Sequence, residues 1–445
     1  MRPKERERSR GEDLFRMKLV NLLDLRHPLC KLADKIRWQD LVDEFGALYA
    51  DQGRPGIPIR MMVGLHYLKH TYDLSDEDTV QGWVENPYWQ YFCGEEYFQH
   101  RPPIDPSQMT RFRTRLGEAG CETLLQITID AGLATKAVVV KSFNAVTVDT
   151  TVQEKAVAHP TDARLYHKGR VWLVRLAKAA GIELRQTYTR IGKNAFFMHN
   201  RYARARQMKR AKRELKRLKT CLGRVYRDLQ RQMPIQSEAV QTRFTEPLAR
   251  VERLLRQQRQ DHNKLYSLHA PEVECIAKGK AHKKYEFGVK VSLAVTHRDN
   301  FVIGAQSMPG NPYDGHTLHQ ALQQIERLTG VKPQRCFVDR GYRKHGIDDV
   351  DVYIPGQRRG ITPVLRKSIK RRNAIEPVIG HLKNDGRLGR NYLKGVVGDA
   401  MNPILAAAGH NIRIILRKLR LSVRVFLAAL IRLLQLPTPL PALAL

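Results

Sequence analysis

Three things are scarce in this chain. Cysteine is one: Cys30, Cys93, Cys121, Cys221, Cys275 and Cys336 stand far apart, with no C-x-x-C pair and no histidine at zinc-finger spacing. That distribution excludes a disulfide framework and a zinc finger, and it suits a reducing, cytoplasmic setting. Acid is the second, since 44 Asp plus Glu face 77 Lys plus Arg, leaving a formal net charge of +33. The excess is beyond what solubility requires and points to a polyanionic partner, DNA or RNA first, although ribosomal and membrane-surface proteins share such a balance. Long uninterrupted apolar runs are the third. The apolar tail, 421–445, is broken by Arg424 and Arg432 and closed by prolines, so a packed or amphipathic terminal helix is expected rather than a membrane span. Met1 to Asp13 alternates Arg, Lys and Glu without an apolar stretch, which argues against a secretory signal and for a partly disordered basic lead over 1–23.

At 445 residues the chain exceeds one compact core, so two or three domains are expected. Over 24–135 apolar residues recur at helical spacing, as in Met61, Met62, Leu65 and Leu68, and strand alternation is rare. This predicts a helical N-terminal domain. Ser75 and Ser107 mark helix starts within it. After Ser107, Arg111, Arg113 and Arg115 interleave with Phe112 and Leu116. Two short helices, the second basic, would make a helix-turn-helix laying these arginines on DNA, and an amphipathic helix with a solvated basic face reads the same way. Val138–Val140, Val146 and Val148 then predict a buried strand closing at Asp149. Alternation returns over Glu286–Thr296, followed by a turn at His297–Asn300 and by Phe301–Ile303, a β-hairpin. A helix over His316–Thr329, a short strand at Arg335–Val338 closing at Asp339, and another at Val350–Ile354 complete a core of 136–161 and 278–420. Between its parts, 162–277 reads as a helical insertion. There Met208, Ala211, Leu215, Leu218, Leu222, Val225 and Leu229 have coiled-coil spacing and Pro234 ends the helix, predicting an antiparallel helical hairpin with basic outer positions.

Asp149 and Asp339 at strand ends and Glu376 on a later helix stand where a mixed fold gathers a site. Converging carboxylates are hard oxygen ligands suited to Mg²⁺ or Mn²⁺, and two such ions flanking a phosphodiester serve in-line phosphoryl transfer. Taken singly, an Asp after a strand is more often a turn or helix cap. Around Glu376, the α-helical rotation places Arg372, Glu376 and Lys383 within about 40° of one another. One face thus offers base, acid, base, suited to a phosphodiester, while Ile375, Val378 and Leu382 dock the helix and Pro377 kinks it. Asp314 and His316 face either the same centre or cap the next helix, and Lys284 and Lys290 belong either to DNA or to an exposed sheet face.

Val148-Asp149-Thr150-Thr151, Val338-Asp339-Arg340-Gly341-Tyr342 and Arg371-Arg372-Asn373-Ala374-Ile375-Glu376-Pro377-Val378-Ile379-Gly380-His381-Leu382-Lys383 resemble the three acidic motifs of the DDE transposases of insertion sequences, specifically the insertion-sequence-five group. Arg372, Glu376 and Lys383 match that family's Tyr-x2-Arg-x3-Glu-x6-Lys signature, whereas Ile369 stands at the Tyr position. Asn86–Gly94 and Asn311–Thr317 extend the resemblance over most of the chain. It implies a mixed α+β and α/β architecture whose ribonuclease-H-like core carries the first Asp on the first strand, the second on the fourth and the Glu on a following helix. It further implies Asp149, Asp339 and Glu376 as catalytic ligands of two Mg²⁺ or Mn²⁺ ions, and Arg111, Arg113, Arg115, Arg340, Arg372 and Lys383 as DNA contacts. The partners implied are the element's terminal inverted repeats and target DNA, bound by a homodimer or higher oligomer near the bacterial nucleoid. Rival readings are a ribonuclease-H-like nuclease that cuts without joining, and a non-catalytic DNA-binding regulator or inactive relic.

Overall fold

A computed structural model of the chain describes residues 17–434 apart from 51, 53–55, 278–282 and 357–359, and for 421–434 the backbone alone. The basic lead and the apolar tail lie outside the described residues over 1–16 and 435–445. From Met17 the chain is already engaged: Lys18 bridges Tyr97, and α1 (Leu19–Leu22) buries Leu19, so an unstructured lead does not extend to residue 23. The chain divides into two compact units, one of segments 1–153, 290–393 and 397–445, the other of 154–289 with 394–396. Among the described residues no helix is long and apolar enough to cross a membrane.

In the first unit, the N-terminal part is helical: α2 (Pro28–Ala33), α3 (Trp38–Gly46), α4 (Ile59–Tyr72), α5 (Asp76–Glu85), α6 (Pro87–Phe92) and α7 (Ser107–Ala134). The starts are encoded locally. Ser75 accepts the Asp78 N–H at 3.0 Å ahead of three first-turn acids, and Asn86 accepts from Tyr88 and Trp89 ahead of Pro87, satisfying donors that a helix start leaves without partners. Helix α7 is one 28-residue element bent at Gly117, where φ is 61°, not the short second helix of a helix-turn-helix. Its Arg113 turns inward, 3% exposed, and donates to both oxygens of Asp76 at 2.8 and 2.5 Å, while Lys69 pairs with the same carboxylate at 2.6 Å. This buried triad ties α4, α5 and α7 together, and the reading of Arg113 as a DNA contact is corrected. Arg111 and Arg115 remain exposed.

The second unit contains α8 (Asp162–Ala179), α9 (Thr189–Arg204), α10 (Met208–Gln232) and α11 (Glu238–Arg256). Ala211, Leu218, Leu222, Val225 and Leu229 are buried as their spacing requires, but Met208 is 55% exposed. Helix α10 packs mainly on α9 and α8 rather than on α11. The product is a four-helix cluster, not an isolated hairpin, because a helix in a bundle shows the same three-then-four apolar spacing as a coiled coil.

Among the described residues six strands form one mixed sheet: β1 (Ala145–Glu154), β2 (Glu274–Ala277), β3 (Tyr285–Thr296), β4 (Val302–Met308), β5 (Arg335–Phe337) and β6 (Asp351–Tyr353), in the order β2-β3-β1-β5-β6 with β4 also on β3. Strands β3 and β4 form the expected antiparallel hairpin, and β1, β5 and β6 run parallel. Val138–Val140 are not strand. Val139 and Val140 are more than half exposed and lead into a 3₁₀ turn over Val140–Asn144, so a β-branched run without a neighbouring strand stays a loop. Helices α12 (Asp314–Thr329), α13 (Pro363–Arg371), α14 (Ile375–Asp385) and α15 (Gly395–Leu434) follow along the chain. Strand β4 pairs with β3 alone, and buried amides serve its backbone. Asn411 accepts from Val302 N–H and donates to Val302 O at 2.9 and 2.8 Å, and Gln324 accepts from Ala305 N–H and donates to Ala305 O at 2.8 and 3.2 Å. Each amide stands in for a missing peptide.

Helix α15 meets α4 closely at Gly409, where a Cβ would overlap the His70 carbonyl. Gly409→Ala is therefore expected to destabilise by about 1–3 kcal/mol despite alanine's better helix propensity, read as a lower thermal midpoint. His66, His297 and His410 are buried; burial foremost, then Arg113, Arg371 and Arg413 respectively, push their rings down to about 3, 4 and 3. Below the ordinary value of 6.5 the unfolded chain takes up protons that these rings refuse. Stability present above pH 6.5 should thus fall as pH drops toward 4, by up to about 1.4 kcal/mol per pH unit for each ring. A thermal midpoint that stays level between pH 7 and 5 would contradict this burial.

Candidate active site

The parallel pairing of β1 and β5 aligns Ala145 with Arg335, Val146 with Cys336 and Thr147 with Phe337. Asp149 and Asp339 each lie two residues beyond the last pair. Because side chains alternate with period two, both carboxylates belong to the face of Thr147 and Phe337. Asp149 sits inside the ten-residue β1 rather than at its end, since β1 continues alongside β3. Asp339 does follow its strand, and its Oδ1 accepts the Gly341 N–H at 2.8 Å, starting a 3₁₀ turn over Arg340–Tyr342. Leaving aside the short β2, which the sequence pattern did not reveal, β5 is the fourth strand of the core.

A further carboxylate joins them. Asp314 opens α12 without capping it through its side chain. Its Oδ1 instead accepts from Thr150 Oγ1 and from Lys290 Nζ, both at 3.0 Å. Lys290 is 8% exposed and also donates to Pro312 O at 2.6 Å, so it is an internal cation, not part of an exposed sheet face. A Cβ at Gly341 would stand 2.9 Å from Asp339 Oδ1 and 3.1 Å from Asp314 Oδ2, so the two carboxylates flank a position only glycine fills without crowding. The Tyr342 phenol is fully buried and its oxygen has no hydrogen-bond partner. Burial, reinforced by the charges of Asp149, Asp314 and Asp339, pushes it well above the usual tyrosine value. A neutral hydroxyl thus stands in the field of three carboxylates.

Glu376 reaches the same site through Arg372. The Arg372 guanidinium, 8% exposed, lies 3.5 Å from Asp149 Oδ2 and 3.4 Å from Glu376 Oε1. Its Nε and Nη1 are buried without a hydrogen-bond acceptor, the kind of under-satisfied group that functional sites retain. Arg372 opens a 3₁₀ turn over Arg372–Ala374, and α14 then buries Ile375, Val378 and Leu382 as expected. Pro377 falls in the first turn of α14, where its missing N–H costs nothing, so the break precedes it. At the other end of α14, Arg413 Nη1 donates to Asp385 O at 2.7 Å and to His70 and Thr71 O at 2.9 and 3.2 Å. One arginine closes the last turns of α14 and α4. Lys383 is half-buried, and Arg340 is exposed with Nε on Pro355 O at 3.3 Å. His316 packs edge-on to Tyr313.

Among the described residues no three Asp, Glu, His or Cys side chains are drawn together closely enough to enclose an ion, and Glu376 is 64% exposed on Arg372. The donor set itself, carboxylates and a phenol with no thiolate or imidazole among them, fits a hard divalent cation. Tyr342→Phe removes a buried hydroxyl that holds no bond. Its thermal midpoint is expected to match or exceed that of the parent, and a loss of more than about 1 kcal/mol would show that the hydroxyl is held.

Two family models match the chain: Transposase domain (DUF772) over residues 17–115 and Transposase DDE domain over 269–411. The first spans α1 to the start of α7. The second contains Asp314, Asp339 and Glu376 and begins after Asp149. A protein of Rhizobium meliloti, described as uncharacterized protein ORF8 in the nfe locus, is 53% identical over 207 residues, which are 46% of this chain and all of that protein. No solved structure matches the chain significantly.

Proposed function

Because the chain belongs to the DDE transposases of the insertion-sequence type, enzymes that act on DNA and generally use divalent metal ions, we propose that Asp149, Asp339 and Glu376 are its catalytic acids. The observation that carries this assignment is the shared guanidinium: Arg372 touches both Asp149 and Glu376, while strand register sets Asp339 beside Asp149. In this reading the mixed sheet with its flanking helices is a ribonuclease-H-like core of the insertion-sequence-five group, and the N-terminal helices bind the element's terminal inverted repeats.

Asp149, Asp339 and Glu376 would hold two Mg²⁺ or Mn²⁺ ions. Such ions, when bound, supply activation of a water or a 3′-hydroxyl and stabilisation of the leaving oxygen in in-line displacement at phosphorus. The chain's own residues do the positioning. Arg372 fixes the approach of Asp149 to Glu376 and offers a planar donor fork suited to a phosphate. Lys383, two turns along α14, and the exposed Arg340 add cationic contacts to flanking phosphates. Tyr342 sets a buried, neutral hydroxyl in the field of Asp149, Asp314 and Asp339. Lys290 offsets the charge of Asp314, whose carboxylate accepts from Thr150, the residue after Asp149. The reaction is cleavage at the element's ends to expose 3′-hydroxyls, followed by their joining to target DNA, performed by a homodimer or higher oligomer in the bacterial cytoplasm.

Asp149→Asn and Asp339→Asn are each expected to lower Mg²⁺-dependent cleavage of a terminal-repeat duplex at least 10³-fold while duplex affinity changes less than about threefold, a separation of chemistry from backbone binding. An Asn variant that still cuts removes that residue from the site. Joined product in a strand-transfer assay separates the transposase from a nuclease that only hydrolyses.

A further inference from the structure

Helix α10 carries ten lysine and arginine residues and two acids in its 25 positions. All ten bases are exposed, and both acids, Glu214 and Asp228, are buried. Asp228 is committed inward, accepting the Arg185 N–H at 2.8 Å. With 3.6 residues per turn, seven of the bases between Lys209 and Arg231 fall within about 100° of arc, opposite the buried Leu218, Leu222 and Leu229. At 1.5 Å rise per residue they form a stripe roughly 33 Å long. Aromatic rings flank it: Arg210 lies over Tyr202 and Arg224 over Tyr188, each at 5.7 Å.

A solvated surface helix gains from acid–base pairs at i,i+4, whereas here Lys209–Arg213, Lys212–Lys216, Arg213–Arg217 and Arg227–Arg231 set like charges at that spacing, each costing about 0.2–0.5 kcal/mol. The neighbouring α11 is made the ordinary way. Its four arginines alternate with three glutamates, and Arg250 pairs with Glu246 and Arg256 with Glu252. Within α10, Glu214 lies 3.7 and 3.8 Å from Arg213 and Arg217, and Asp228 3.5 Å from Arg231. Yet two buried acids offset only two of the ten charges, which marks α10 as a helix whose remaining charge is matched from outside the chain.

We propose that the outward face of α10 is a phosphate-backbone contact for duplex DNA, a proposal that rests on the reading of the chain as a DNA-acting enzyme and adds where part of the duplex is held. The stripe is about as long as one helical turn of B-DNA, about 34 Å. Its side chains are cations suited to phosphate oxygens, so the affinity it contributes is steep in salt.

The test uses the full chain carrying Lys209→Gln, Lys216→Gln and Arg227→Gln together, beside a charge-matched control carrying Arg243→Gln, Arg253→Gln and Arg256→Gln on α11. Binding to a terminal-repeat duplex and to an unrelated duplex of equal length is titrated without divalent metal across a salt series, with circular dichroism to confirm that each variant is folded. The α10 variant should lower the slope of log affinity against log salt by roughly 2 to 3, and the α11 control by much less. Loss on both duplexes assigns the stripe to backbone in general, and loss on the repeat-bearing duplex alone assigns it to the element's ends; either supports the contact. Equal slopes for variant and parent, or equal losses for variant and control, would overturn it. Because no cleavage is read, a failure of the catalytic assignment leaves this result interpretable.

Discussion

The parallel pairing of two strands decides whether the proposed active site can assemble. Asp149 and Asp339 are 190 positions apart in sequence, and the three-residue ladder from Ala145–Arg335 to Thr147–Phe337 is what brings them level. A slip of one residue would turn either carboxylate to the opposite face. So short a ladder leaves register to its surroundings: Val146, Val148, Cys336 and Val338 are fully buried, and on one side of them His297 stacks on Phe337 with centroids 4.1 Å apart. The side chains that seal the sheet's interior thereby also set the spacing of the acids above it.

The third acid depends on arginines rather than on register. Helix α14 docks by three apolar residues, a small footprint for the element that carries Glu376. Arg413 binds its last carbonyl and the end of α4, and Arg372 binds Glu376 to Asp149. Both cations are largely desolvated, where a guanidinium holds geometry well because its donors lie in one plane. Arg413 meets carbonyl dipoles through Nη1 and Arg372 rests on two carboxylates, and each retains a buried donor without an acceptor.

Much of this was legible in the residues themselves. The alternation of Glu286–Thr296, the turn at His297–Asn300 and the apolar spacing of α14 and α10 are local patterns with local causes, and they appear where the periodicity puts them. What escaped depends on partners distant in sequence. Arg113 reads as one tooth of a basic comb until Asp76, 37 residues earlier, meets it inside the bundle. Lys290 reads as the polar side of an alternating strand, and only Asp314 explains why it is buried. Val138–Val140 has the composition of a strand but no neighbour to pair with. Tyr342 stands in plain view within its motif, yet nothing in the string of letters distinguishes a phenol at the surface from one enclosed by three acids. Four-residue β2 is too brief for any period to show.

The buried amides on β4 have an architectural effect beyond stability. An open sheet margin invites another chain to add a strand, but at Val302 and Ala305 both backbone groups are already answered by Asn411 and Gln324. Recruitment of a neighbour through main-chain ladder formation at those positions is foreclosed. A second chain that approached β4 at Val302 or Ala305 would meet side chains there rather than open main-chain groups, so a contact at those positions would be open to point substitution without disturbing the sheet.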